Sequence, residues 1–467
     1  MFRLSSLLLC LVLLASCSKK SSLNSSKDTY ADSRAIYSQN CSSCHGEKVE
    51  AFVDRKWKHG NTKEAIIKSI SDGYLEDGMP IWSATIQPAE IEKLADLIIT
   101  SLSTVNQYDF AEIEKTDTYK SKGITVKLEP VLEGINSPWG MASLPDGSLL
   151  VTDRDGDLWK VGTDKSKSKI TGIPEVLAVG QGGLFEVVLH PKYDENGWIY
   201  LSFAKSKKEN DKIVSTTALV RGKLQVNTFT QQEELFEALP YFPTSLHYGG
   251  RMLFDNDGYL FLTVGERGMQ DINPQSLESD CGKIHRFKDD GSIPEDNPFF
   301  NTENAKKSIW SYGHRNPQGL VIDRVNNIIW ETEHGPRGGD ELNIISKGEN
   351  YGWPIVSYGI NYNGTTFTDL IEKKGILNPE LYWIPSIAPC GMSFVTSDKY
   401  PAWQGEILTG SLRFKYLNKV DFKEGKINGE EKLLINVGRL RNVVQAADGF
   451  IYVGIEDPGT VYRLVPQ

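Results

Sequence analysis

The chain has 467 residues, 39% hydrophobic content and a formal net charge of −10. That length predicts more than one domain, each able to bury a core of its own. An acidic balance with no basic cluster beyond short lysine pairs excludes a nucleic-acid backbone as partner. Beyond the first residues no stretch approaches ~18 unbroken apolar residues, so no mature spanning helix is expected.

The opening MFRLSSLLLCLVLLASC combines Arg3 with a short apolar run and small residues, the pattern of an export signal rather than of mature structure. Its end, Leu14-Ala15-Ser16-Cys17, resembles a bacterial lipobox, which would make Cys17 the lipidated first residue; ordinary cleavage near Ala15 is the alternative. Segment 1–17 is read as a lipoprotein signal and 18–29, polar and Ser-rich, as a flexible tether. The protein is then exported, periplasmic or facing outward at the cell surface, and held to the membrane by lipid alone.

Residues 30–104 are expected to form a small all-α unit. Its last helix, in QPAEIEKLADLIITSLS, has Pro88 in the first turn and repeats Ile91, Leu94, Ala95, Ile98, Ile99 and Leu102 at i, i+3, i+4 spacing. Near its start, NCSSCHGEK holds Cys41, Cys44 and His45. Cys-X-X-Cys-His is the attachment signature of c-type haem: the thiols add to the vinyl groups and the imidazole ligates iron. Half a zinc site or a redox dithiol would need other company. No second Cys-X-X-Cys completes a zinc site, and the unit is too small and helical for a thioredoxin fold. In DGMPIW, about 35 residues downstream, Met79 lies between Gly78 and Pro80, where a thioether can meet the open face of the iron. On these residues the unit resembles a class I cytochrome c domain, which implies His45 and Met79 as axial ligands of haem c. Such ligation raises the potential and suits an electron acceptor.

Residues 105–123 are polar and read as a linker. From Ile124 the period becomes alternating, and a turn followed by a β-rich run recurs six times: PDGSLLVTD, HPKYDENGWIYLSF, FDNDGYLFLTVG, IDRVNNIIWETEHG, YPAWQGEILTGSL and AADGFIYVGIED. Close to 60 residues per recurrence suits a four-stranded blade with loops, so 124–467 is expected to be a six-bladed β-propeller, with a pair of β-sandwiches as the rival. Of the six cysteines, Cys281 and Cys390 remain, either as a disulfide or as two buried thiols.

Within the propeller the motifs GQGGLFEVVLHP, SLHYGGRMLFDNDGYL, SYGHRNPQGLVID, ETEHGPRGGDELNII, KGENYGWP and GRLRNVVQAADG follow in order. On these the chain resembles the soluble quinoprotein glucose dehydrogenase family, with its aldose sugar and sorbosone dehydrogenases. The resemblance implies pyrroloquinoline quinone (PQQ) and calcium as cofactors and an aldose sugar, or a related alcohol or aldehyde, as substrate. PQQ is a planar quinone with three carboxylates, and arginine forks suit such anions. By the resemblance Gln181, Arg315, Asn316, Arg439 and Arg441 hold PQQ, with Arg413 in place of a cofactor-binding lysine. The carbonyls of Gly335 and Pro336 would hold calcium at the quinone, and Asp340, Glu341 and Tyr351 would line a structural calcium site.

His247 matches the family's catalytic base, and Arg315 would stabilise charge developing on the quinone oxygen. His190 and His314 read as structural. Glu266 stands where the family has a shorter aspartate beside the base, and Leu246 where the glucose enzyme has an acid. A further glutamine contact falls to Gln270 or Gln275. The expected reaction is hydride transfer from sugar to PQQ, with electrons passing to the haem of the same chain and then to a downstream acceptor of the respiratory chain. The alternative is a non-catalytic carbohydrate-binding or scaffold propeller fused to an electron-transfer cytochrome.

Overall fold

The computed structural model describes residues 30–41, 45, 49, 52, 57–75, 79–102, 116–362, 365–423, 426–456 and 458–467. The expected lipidation at Cys17 and haem attachment at Cys44 lie outside them.

Alternation begins earlier than Ile124. Strand β1 (Thr118–Ser121) pairs with β2 (Ile124–Glu133) across a tight turn in which Gly123 takes φ 77°, a region glycine enters without penalty. The last residues of the expected linker therefore belong to the β unit, because TYKS alternates and finds an edge to pair with.

Five four-stranded antiparallel sheets follow. The first holds β3 (Pro138–Ser143), β4 (Leu149–Asp153), β5 (Asp157–Val161) and β6 (Lys167–Ile170). The second holds β7 (Leu184–Leu189), β8 (Trp198–Glu209), β9 (Lys212–Gln225) and β10 (Thr228–Glu237). Next come β11 (Gly249–Phe254), β12 (Leu260–Val264), β13 (Lys283–Phe287) and β14 (Ile309–Tyr312). The fourth is β15 (Pro317–Asp323), β16 (Ile328–Glu333), β17 (Asp340–Ile345) and β18 (Leu381–Trp383). The fifth is β19 (Pro389–Phe394), β20 (Ile407–Ser411), β21 (Tyr416–Lys423) and β22 (Lys426–Leu433). The sixth sheet joins both ends of the unit: β23 (Arg439–Gln445), β24 (Ile451–Glu456) and β25 (Thr460–Pro466) pair on through β25 to β2 and β1.

The first strand of each blade touches that of the next, and β23 touches β3, so the ring closes as a six-bladed β-propeller. Six apolar clusters explain the stacking, one between each pair of neighbouring blades, such as Leu150, Leu158 and Ile170 against Leu184, Leu201 and Val220. Each blade is thus buried on both faces, and each fully buried Leu, Ile or Val contributes roughly 1.5–3 kcal/mol. Cys281 and Cys390 are separate buried thiols.

Every innermost strand carries a register break near its start: Pro138/Gly140, Leu184/Val187, Gly249/Met252, Pro317/Gly319, Cys390/Met392 and Leu440/Asn442. A bulge re-aims the side chains beside it. Packing there is tight, since a Cβ on Gly391 (φ 53°) would come 2.5 Å from Asn442 Cα of the next blade. At the axis Arg251 is buried and donates to Trp139 O (3.0 Å), Gln318 O (2.7 Å), Arg441 O (3.2 Å) and Glu186 Oε2 (2.8 Å), tying its own blade to four others.

The N-terminal unit has three described helices, α1 (Ala31–Asn40), α2 (Lys63–Asp72) and α3 (Pro88–Leu102). α3 buries Ile91, Leu94, Ala95, Leu97 and Ile98, while the expected core positions Ile99 and Leu102 are half-buried against the same cluster. Cys41, Met79 and Trp82 pack on that cluster, and the His45 ring lies 5.2 Å from Phe52. A two-way backbone bridge pairs Tyr74 with Met79. No helix among the described residues is long and apolar enough to cross a membrane.

Candidate active site

In an antiparallel blade the start of the first strand and the end of the second lie at one end of the sheet. Residues just before the first strand and just after the second therefore gather at one mouth of the ring. They surround a cavity of about 400 Å³ lined by Gln181, Tyr248 and Asn316 from the first kind of position and by Arg154, His334, Leu412 and Arg413 from the second, with Trp139, Gln318, Arg439 and Arg441 at the bulged strands. Five of the expected PQQ residues, Gln181, Asn316, Arg413, Arg439 and Arg441, meet here. Neither Gln270 nor Gln275 lines the cavity. Gln275 is held by Asn350 and by Trp353 O.

Arg439 and Arg441 are set by one acid. Glu456 accepts from Arg439 Nε (3.0 Å), Arg441 Nε (2.7 Å) and Ser137 Oγ (2.6 Å). Burial pushes its carboxyl up, but Arg441, then Ser137 and Arg439, outweigh burial and hold it at about 2. With Arg154 and Arg413 the cavity carries four guanidinium groups against that one carboxylate, a surplus that favours an anionic ligand. Arg154 and Glu456 were not singled out from the sequence. Arg154 immediately follows β4, and that position after a second strand is the signal that marks it.

His247 adjoins the cavity in left-handed backbone, φ 49°. Its N–H donates to Gln181 Oε1 (2.8 Å) and its Nδ1 lies 2.5 Å from Glu266 Oε1. The longer side chain that replaces the family's aspartate thus reaches the ring. Both residues are buried, and Glu266 Oε2 has no partner. Burial first, then the charge of Arg315, pulls the imidazole below its ordinary range, while Glu266 opposes them. A neutral, acid-oriented imidazole is suited to accept a proton.

Arg315 is also buried, and its Nη1 donates to His334 O (3.0 Å) and Gly335 O (2.7 Å). The Gly335 carbonyl expected to ligate calcium is therefore engaged by the guanidinium in this structure, with Pro336 buried beside it. Asp340 departs from the expected structural calcium set. Alternation along β17 turns it away from Glu341, and its carboxylate accepts from Gly335 N (2.9 Å), Ser386 Oγ (2.5 Å) and Ala388 N (2.7 Å). It holds the Gly335 loop instead.

Glu341 and Tyr351 do share a second, small cavity with Glu333. Beside it Glu331, Glu333 and His314 bring ligand atoms within 4.8 Å of one another. Asn343 Nδ2 bridges Glu331 (3.1 Å) and Glu341 (3.3 Å). Burial first, then the charge of Glu333, pushes the carboxyls of Glu331 and Glu341 well up. Glu331 Oε1 and Asn343 Oδ1 are buried without partners. Orphaned hard oxygens and uncompensated carboxylates fit a calcium ion. Glu331 and Glu333 were missed in the sequence, although ETE at the end of the apolar run IIW puts two acids on one face of a buried strand.

The sequence profile described as glucose / sorbosone dehydrogenase matches residues 135–463, and one described as cytochrome C oxidase, cbb3-type, subunit III matches 28–98. The aldose sugar dehydrogenase YliI of Escherichia coli is 38% identical over 352 residues, 73% of this chain and 94% of the relative. Among solved structures, the soluble aldose sugar dehydrogenase of Escherichia coli in its apo-form is 36% identical with TM-score 0.70, covering 73% of this chain and 100% of that one. The PQQ-bound aldose sugar dehydrogenase of Streptomyces coelicolor is 27% identical with TM-score 0.61, covering 73% and 98%.

Proposed function

The chain belongs to the glucose/sorbosone dehydrogenase family, and from that premise we propose that it oxidises an aldose sugar, or a related alcohol or aldehyde, with PQQ and calcium as cofactors and passes the electrons to a haem c carried by its own N-terminal unit. The observation that carries the reading is the juxtaposition of a four-arginine cavity with the His247–Glu266 pair.

Gln181, Asn316, Arg413, Arg439 and Arg441 hold PQQ, with Arg154 as a further cation. The Gly335 and Pro336 carbonyls would hold one calcium ion, and Glu331, Glu333 and Glu341 would hold a structural one. Bound PQQ supplies a two-electron hydride acceptor that calcium polarises. His247 Nε2 would take the proton of the sugar hydroxyl, readying that carbon for oxidation. Glu266 fixes the ring at Nδ1 and would stabilise the imidazolium, and Arg315 would stabilise negative charge on a bound acceptor. Cys41 and Cys44 would attach the haem, and His45 and Met79 would ligate its iron. Segment 1–17 exports the protein, and lipid on Cys17 anchors it at the periplasmic or outer face, close to a respiratory electron acceptor.

The test is reconstitution of apoprotein with PQQ and calcium followed by sugar-dependent dye reduction. His247→Ala is expected to retain PQQ and to lose about 10²-fold or more in kcat. Full turnover by that variant would sink the mechanism. PQQ binding without sugar oxidation in the wild type would favour a binding propeller.

A further inference from the structure

A residue with a Cβ disfavours the left-handed backbone that His247 adopts. Gln181 holds its N–H, and Thr217 Oγ1 donates to Tyr248 O (2.6 Å), but the most extensive restraint comes from Arg267. That guanidinium is fully buried. Nη1 donates to Leu246 O, and Nη2 donates to Thr244 O (2.7 Å) and Ser215 Oγ (3.0 Å). Its Cζ lies 3.4 Å from the centroid of the Tyr248 ring, and its backbone N–H donates to His247 O (3.3 Å). One side chain thus grips both flanks of the base, while its sequence neighbour Glu266 orients the imidazole.

Among the buried arginines, Arg251 meets Glu186 and Arg441 meets Glu456, whereas Arg315, like Arg267, is held by backbone carbonyls. Arg267 has no carboxylate partner among the described residues, and its Nε makes no hydrogen bond. A buried cation without a hydrogen-bonded acid is costly to keep, and its position beside the proposed base gives a reason for keeping it.

We propose that Arg267 is the positioning residue for proton abstraction at His247, fixing the turn over residues 244–248 through its fork and disfavouring a second positive charge on the ring. The proposal rests on the reading of His247 as the base. The groups facing the imidazole are Glu266, which favours its charged form, and Arg315 and Arg267, which oppose it, with His334 also coupled to it.

The test uses Arg267→Gln and Arg267→Lys. In apoprotein with ¹³C-labelled histidine, the NMR titration of His247, assigned by its loss in His247→Asn, needs neither cofactor nor sugar. Its midpoint is expected to rise by about half a unit or more in Arg267→Gln and to stay near the wild-type value in Arg267→Lys, which keeps the charge. In reconstituted holoenzyme kcat is expected to fall about tenfold or more in both variants with KM within about threefold, because lysine lacks the fork. An unchanged midpoint and kcat in Arg267→Gln would overturn the proposal, as would full kcat in Arg267→Lys or a loss that only tracks the folded fraction by circular dichroism. Should Arg267→Gln fail to fold, Ser215→Ala removes one acceptor: a fall in kcat of about two- to fivefold supports the clamp, and no change overturns it. A wild type inert toward sugars would defeat the functional reading while leaving the titration to judge Arg267.

Discussion

Glu266 has one oxygen on His247 Nδ1 and the other without a partner. Removing its charge should therefore act most directly on the ring. Because burial and Arg315 disfavour the imidazolium and Glu266 favours it, Glu266→Gln should move the acid limb of the kcat/KM profile to still lower pH while lowering kcat; a limb moving upward would contradict the arrangement. Arg441 and Arg439 separate in the same way. Arg441 is buried and takes Gln318 as well as Glu456, whereas Arg439 is partly exposed. Arg441→Ala should weaken PQQ binding by about tenfold or more, and more than Arg439→Ala, as read by fluorescence titration. At this scale the sequence was most legible where residue type is chemically demanding. Arg315, Arg413, Arg439, Arg441, His247 and its acid could be named, but Arg154 and Glu456 could not, because a charged residue at the end of a strand looks like any solvated end until the fold gathers the guanidinium groups around it.

Blade four stores unbalanced charge. Glu331, Glu341 and Asp340 all have carboxyls pushed up by burial, Asp340 to about 6. A carboxyl raised in the folded state contributes stability that is full below its unfolded value and is lost as pH rises through its folded one. Calcium-free protein should accordingly lose thermal stability as pH climbs from about 4 past 6, and added calcium should restore it most at the upper end. A melting temperature indifferent to chelator across that range would remove calcium from this site. Alternation and turn glycines made the strands of this blade readable, and the helical repeat did the same for α3. The six bulges were not readable, since a register break depends on the partner strand and leaves no period of its own. The onset of β1 inside a polar stretch was hidden for the same reason.

Across the molecule Arg251 joins five blades at the axis, so Arg251→Met, which strands Glu186 in the interior, should cost about 3–5 kcal/mol in denaturant unfolding. The electron relay makes a kinetic prediction. Mixing anaerobic holoprotein with an oxidisable aldose should reduce the haem without mediator at a rate independent of protein concentration, because transfer within one chain is unimolecular; second-order dependence would place the acceptor elsewhere. The pairing of β2 with β25 in the sixth blade also has a meaning in time. A chain made from its N-terminus lays down β2 early and must then wait for the last strand, while β23 and β24, which carry Arg439, Arg441 and Glu456, are themselves among the final pieces to emerge. An unfinished propeller is an open arc with one sticky edge and no anion site, so there is no partly assembled dehydrogenase to release reactive chemistry. The helical unit is made first. The proposed electron acceptor would then be made before there is anything to oxidise.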